Sequence, residues 1–236
     1  MGFICQNKGM KKPAITFCLT VTIFLVDVFV GRAPIYAQNQ SARFAGVVIK
    51  LPTPQNLCLI GDSKPERFLL DYSKRGQKSF NNKLLGMWIS CDTQRKLQSG
   101  VPSNTKEWVV VSGYMSGNPP MEKTLPGITK ETFLKNVVKG FGSLDLEATQ
   151  RRVNKKLGKI NEDIFSNKDA ILVGKPLNLG TLAITDSVHN GVIMTVNSQL
   201  FVGIFSSTIL NSVIINFFYY AKYINKNSIK ETLAKS

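Results

Sequence analysis

Four cysteines and a single histidine are the only thiol and imidazole groups in this 236-residue chain, and their placement limits the chemistry on offer. Cys5 and Cys18 fall in an N-terminal stretch with the character of an export signal, which leaves Cys58, Cys91 and His189 for the rest. Two thiols and one imidazole fall short of the common zinc ligand sets, so neither a metal nor a cofactor is expected. Cys58 and Cys91 each sit in an apolar, strand-like run, Leu57 to Ile60 and Leu84 to Cys91. Neighbouring strands bring Cβ atoms within bonding distance, so a disulfide is expected rather than two buried thiols; its loop of about thirty residues is worth on the order of 3 kcal/mol. The other concentration of chemistry is positive charge. Arg151, Arg152, Lys155, Lys156 and Lys159 lie away from an apolar stripe of Val153, Leu157 and Ile160 once the segment is wound as a helix. Such a face binds phosphates or anionic polymer, or it is simply a solvated helix face. Aromatic residues are not interleaved with it, so it lacks the stacking platform that single-stranded nucleic acid needs, and nucleic acid is not an expected partner.

The elements that must position these groups can be read from periodicity. Strand-like runs, rich in β-branched and aromatic residues, occur at Arg43 to Leu51, Lys83 to Cys91, Glu107 to Met115, Leu177 to Thr185, Gly191 to Val196 and Leu200 to Phe205. Several are apolar on both faces, which asks for a sheet with helical cover. A helix is expected over Ser63 to Arg75, where Ser63 and Glu66 have capping-box spacing and Lys74, Arg75 and Gly76 mark the end. Two more are expected at Thr129 to Phe141 and at Leu144 to about Phe165. Trp88 and Trp108 fall inside apolar strands and read as core rather than as ligand platforms. Because strands and helices do not alternate regularly, the expected fold is α+β: a mainly antiparallel sheet covered by helices, an α/β sandwich, with a hairpin turning at Asn197-Ser198-Gln199.

Residues 1–37 read as a cleaved signal peptide: Lys8, Lys11 and Lys12, then the apolar run Ala14 to Val26, then Ile35-Tyr36-Ala37 as the cleavage site. Residues 38–236 would form a single exported domain. The full chain carries 30 basic and 15 acidic side chains, and loss of the signal leaves a net charge of about +12. In the periplasm or outside the cell, such a field attracts lipid head groups, lipopolysaccharide phosphates or acidic polymers.

The C-terminal apolar stretch admits two readings. Leu200 to Ala221 is long enough to cross a bilayer and is followed by Lys222, Lys226, Lys230 and Lys235, as a membrane anchor with a basic cytoplasmic tail would be. The other reading divides it into a strand, a Ser206-Ser207-Thr208 cap and an amphipathic helix from Ile209 to about Asn225. A polar stripe of Ser212, Asn216, Tyr219 and Lys222 favours the helix, since a lipid-facing helix has no need of one.

Gly61-Asp62-Ser63 and Asp186-Ser187-Val188-His189 resemble the nucleophile block and the Asp-x-x-His block of the GDSL (SGNH) hydrolases. The resemblance implies an ester hydrolase with Ser63 as nucleophile, His189 as base and Asp186 as its partner. The family's Gly-x-Asn-Asp block is missing, and with it an oxyanion donor. A helix cap at Ser63 and a turn at Asp186 to Gly191 explain the same residues. A second resemblance rests on Leu51-Pro52 and Leu57-Cys58 after a strand, the Leu84 to Asp92 strand ending in Cys-Asp, and the closing segment Gly191 to Asn225. This pattern is similar to small exported bacterial proteins whose outline resembles the PsbP-like α/β sandwich, and it implies a non-catalytic binding or scaffolding role in the cell envelope.

Overall fold

The computed structural model describes residues 40–101, 103, 105–164 and 173–236. The expected signal peptide at 1–37 lies outside them. The fold is α+β, as expected: a seven-stranded, wholly antiparallel sheet with helices packed on it. In chain order the elements are β1 (Gln40–Phe44), β2 (Val47–Leu51), β3 (Leu57–Leu59), α1 (Lys64–Ser79), β4 (Asn82–Ser90), α2 (Cys91–Gln98), β5 (Glu107–Tyr114), α3 (Lys130–Gly142), α4 (Leu146–Ile164), β6 (Leu177–Ile184), β7 (Val188–Val196), β8 (Gln199–Leu210), β9 (Val213–Lys222) and α5 (Asn227–Lys235). The sheet runs β3-β4-β5-β9-β8-β7-β6, while β1 and β2 form a separate hairpin.

Two-residue turns set the register. Ala45-Gly46, Asn197-Ser198 and Asn211-Ser212 all have positive φ at both positions. That geometry matches the right-handed twist of the strands it joins. The first of these turns folds the expected Arg43 to Leu51 strand into the β1–β2 hairpin. The second is the hairpin turn expected at Asn197, with Val196 paired to Gln199. The third overturns two expectations at once. Neither a membrane-spanning helix over 200–221 nor an amphipathic helix over Ile209 to Asn225 forms; the segment is β8, turn and β9, and no helix among the described residues is long and apolar enough to cross a membrane.

Alternation explains why. On β9, Val213, Ile215 and Tyr219 are buried on one face, while Phe218 and Tyr220 lie on the other. The supposed stripe disperses: Ser212 is in the turn, Asn216 accepts a hydrogen bond from Ser207 Oγ (2.8 Å), Tyr219 donates to Glu107, and Lys222 is exposed at the strand end.

Each face of the sheet has its own core. Phe44 and Leu51 of the hairpin and Ile229 and Leu233 of α5 cover Trp88, Val109, Val111, Val202, Ile204 and Ile215. Gly86 and Gly113 permit this approach: a Cβ on Gly86 would lie 2.4 Å from the Trp88 ring, and one on Gly113 2.7 Å from Phe44. On the opposite face Leu69, Leu70 and Leu97 from α1 and α2 pack on Met87, Ile89 and Val110. The third covering helix, α3, crosses β6, β7 and β8.

The β3 edge is tied down by a disulfide and a buried carboxylate. Cys58 and Cys91 are bonded, with Cα atoms 4.9 Å apart. The carboxylate of Glu66, 1% exposed, completes the capping box of α1. It accepts from Gly61 N (2.9 Å), Ser63 N (3.3 Å), Gln94 Nε2 (2.8 Å) and Gln98 Nε2 (3.2 Å). Burial alone would raise its pKa, but the hydrogen bonds at Ser63, Gly61, Gln94 and Gln98 prevail and hold it below the ordinary value of 4.5. The helix does not stop at Gly76, where a side chain would meet nothing, but runs on to Ser79.

Replacing Glu66 with Gln sets an amide NH₂ against these donors and is expected to cost about 2–4 kcal/mol at pH 7, measured by urea unfolding. Since the folded pKa is depressed, this contribution is present above about pH 4.5 and fades as the pH falls through the folded value. Glu66→Gln should therefore flatten the acid limb of the stability profile. The double change Cys58→Ser/Cys91→Ser should remove about 3–4 kcal/mol by the same measurement.

Candidate functional site

Helix α4 carries the charged surface that the sequence singles out. Its start is capped by Asp145, whose Oδ1 accepts the Ala148 N–H (2.9 Å). Leu157, Ile160 and Asn161 are buried on its inner side. It is held against α1 by three contacts: Tyr72 hydroxyl donates to Asn161 Oδ1 (3.4 Å), Arg75 pairs with Asp163 (3.3 Å), and Lys156 Nζ donates to the Ser79 carbonyl. Near its start, Gln150 and Asn154 donate to the Val173 carbonyl (3.2 and 2.8 Å) and fix the chain where it leads into β6.

The five basic residues therefore divide. Lys156 is half-buried, its ammonium 4.3 Å from the Phe80 ring centroid, and belongs to the packing of α4 rather than to an open surface. Arg151 is exposed and pairs with Glu147 one turn earlier (3.2 Å). Arg152, Lys155 and Lys159 are exposed and have no acidic partner among the described residues. At helical spacing these three fall within an arc of about 60° and span about 10 Å along the axis. They form a compact row of unneutralised charge on a helix that the rest of the chain holds in place. The signals missed in sequence were the positions that dock α4, Tyr72, Arg75 and Ser79, because a helix–helix contact between distant segments leaves no local pattern.

Ser63, Asp186 and His189 are not brought together. Ser63 caps α1 beside β3, whereas His189 is on β7, five strand spacings away across the sheet, or roughly 24 Å. Asp186 is almost fully exposed and pairs with Lys130 of α3; that hydrogen bond and the lysine charge hold its carboxyl below the usual range. The His189 ring is instead surrounded by hydroxyls. Nδ1 lies 2.7 Å from Ser206 Oγ and 3.4 Å from Ser236 Oγ, and Nε2 lies 2.8 Å from Ser187 Oγ and 3.5 Å from Thr185 Oγ1. No carboxylate is among these partners, so the imidazole lacks the orienting acid that a triad requires. Trp88 is fully buried, as expected of core, while Trp108 is half-buried and stacks on Tyr220 with centroids 4.7 Å apart. Among the described residues no group of three or more His, Cys, Asp or Glu gathers to hold a metal ion.

No family model matches the chain, and neither a curated protein nor a solved structure matches it.

Burial lowers the pKa of His189 from its ordinary 6.5. Its folded value lies below its unfolded value, so the neutral ring favours the folded state above about pH 6.5, and this contribution is lost as the pH falls toward the folded value. Thermal melts of the full chain between pH 7.5 and pH 5 should show this loss, and His189→Gln should remove that part of the slope.

Proposed function

We propose that this is an exported, non-catalytic binding or scaffolding protein of the cell envelope that contacts an anionic component through the outer face of α4. The observation that carries the reading is the row Arg152, Lys155 and Lys159, exposed, close together and without acidic partners among the described residues. Lipid head groups, lipopolysaccharide phosphates and acidic polymers share the repeated negative charge that such a row attracts. Export is supported by the Cys58–Cys91 disulfide, since disulfides persist in oxidising compartments, and by the signal-like pattern of residues 1–37. The dispersal of Ser63, Asp186 and His189 argues for binding over ester hydrolysis, and the resemblance to exported PsbP-like sandwiches points the same way.

The test is vesicle binding by the mature chain. Each basic residue near an anionic surface contributes about 1 kcal/mol. Replacing Arg152, Lys155 and Lys159 together by Gln should then weaken binding to vesicles containing anionic phospholipid or lipopolysaccharide on the order of a hundredfold at low salt, with Tm nearly unchanged. Lys156→Gln should do the reverse, lowering Tm while sparing the affinity. Wild-type affinity in the triple variant would end this reading. Expression of the full chain in a Gram-negative host should yield a periplasmic product beginning at Gln38; a cytoplasmic product starting at Met1 would remove the export part.

A further inference from the structure

The turn between β6 and β7 sets two hydroxyls against the single imidazole of the chain. Ile184 pairs with Val188, so Thr185, Asp186 and Ser187 make the turn. Two hydrogen bonds fix its shape: Thr185 N–H donates to the Ser187 carbonyl (2.9 Å), and Thr208 Oγ1 of β8 donates to the Asp186 carbonyl (2.7 Å). Ser187 and His189 stand two residues apart in extended chain and share a sheet face, which brings Ser187 Oγ within 2.8 Å of Nε2. The other ring nitrogen points inward. Nδ1 lies 2.7 Å from the hydroxyl of Ser206, a residue 2% exposed. The Nε2 side opens toward solvent, since Ser187 is half-buried and Thr185 is exposed.

The hydrogen-bond network assigns the protons. Ser236 Oγ–H donates to the Leu233 carbonyl (2.9 Å), so at 3.4 Å from Nδ1 this hydroxyl meets the ring only as an acceptor. The ring proton is therefore on Nδ1, and Nε2 keeps a lone pair that the Ser187 O–H meets as donor. Burial favours the neutral ring. A serine hydroxyl donating to a neutral imidazole, with the far nitrogen held by a buried partner, is the arrangement that activates a nucleophile. Ser206 and Ser236 fix the tautomer, as the acid of a triad does, but they cannot stabilise an imidazolium by charge.

We propose that Ser187 is an acylation site, a serine made nucleophilic by His189 that takes an acyl group from an activated donor such as an aryl ester or a thioester. Ser187 Oγ bonds to the carbonyl carbon, and its proton passes to His189 Nε2. The bond to the leaving group then breaks; the phenol or thiol departs with that proton, and acyl-Ser187 remains. The Thr185 hydroxyl, 3.5 Å from Nε2, is the donor at hand for the developing oxyanion. One exposed hydroxyl stabilises an oxyanion weakly, which restricts the donor to good leaving groups. The protein is the acceptor of this single step, and the step does not depend on the basic row of α4.

Reaction of the folded full chain with p-nitrophenyl acetate provides the test, the acetyl groups being located by peptide mass spectrometry. Ser187 should acetylate ahead of every other serine, and this advantage should vanish when the chain is unfolded in urea. His189→Gln should slow acetylation of Ser187 by at least about a hundredfold, the lower end of what a positioned general base contributes. Ser63→Ala should leave it unchanged. Ser187→Ala should remove the fast phase of nitrophenolate release while Tm stays close to that of the wild type. Acetylation of Ser187 that is no faster in the folded than in the unfolded chain would overturn the proposal, and this comparison needs no variant to fold. Undiminished reaction in His189→Gln would remove the imidazole from it, and an acetyl group found on His189 with Ser187 unmodified would make the ring itself the nucleophile and contradict the assignment.

Discussion

The inner strands of the sheet are apolar on both faces, and the need to cover both at once shapes the rest of the molecule. Val109 and Val111 of β5 face one way and Val110 the other; on β9, Ile215 and Tyr219 are opposed by Phe218 and Tyr220. A sheet with one dry face can leave the other to water, but these strands cannot. The chain supplies two different covers. One is a strand hairpin with the short helix α5, which fits because Gly86 and Gly113 let Trp88 and Phe44 lie flat on the sheet. The other is a helical layer, with α1 and α2 on the β4 side and α3 across β6, β7 and β8.

The helical layer needs a fixed point, and Glu66 provides it. The edge strand β3 has only three residues, too few to hold α1 by strand pairing alone. A carboxylate that takes hydrogen bonds from the loop before α1 and from two glutamines of α2 joins three segments at one buried charge. The Cys58–Cys91 bond links β3 to the first residue of α2 and acts at the same corner. With α1 fixed, α4 can dock on it through Tyr72, Arg75 and Lys156 and turn Arg152, Lys155 and Lys159 outward. The charged surface thus depends on a buried anion at the start of the helix on which α4 docks.

Much of this was legible in the residues. The Ser63-Glu66 spacing announced α1, the apolar runs at β4 and β5 announced inner strands, and Asn197-Ser198 announced a hairpin turn. Each of these signals is local. What was not legible depended on neighbours. The β9 run has polar residues at helical spacing, and only pairing with β5 and β8 along both edges decides for strand. Short α2 and α5 are largely polar and owe their helicity to packing rather than to a strong apolar stripe. The candidate triad failed for the same kind of reason: distance across a sheet is set by strand order, which places β7 five positions from β3 and is invisible in the spacing of Ser63 and His189.

If burial on both sheet faces is the governing constraint, the β8–β9 hairpin must be the most protected part of the chain. Native-state amide hydrogen exchange, measured on the purified mature chain in aqueous buffer without detergent, tests this directly. The account predicts that the amides of Val202 to Ile209 and Val213 to Ala221 exchange slowest and open only with global unfolding. Rapid exchange there, or protection that develops only when detergent or lipid is added, would contradict it.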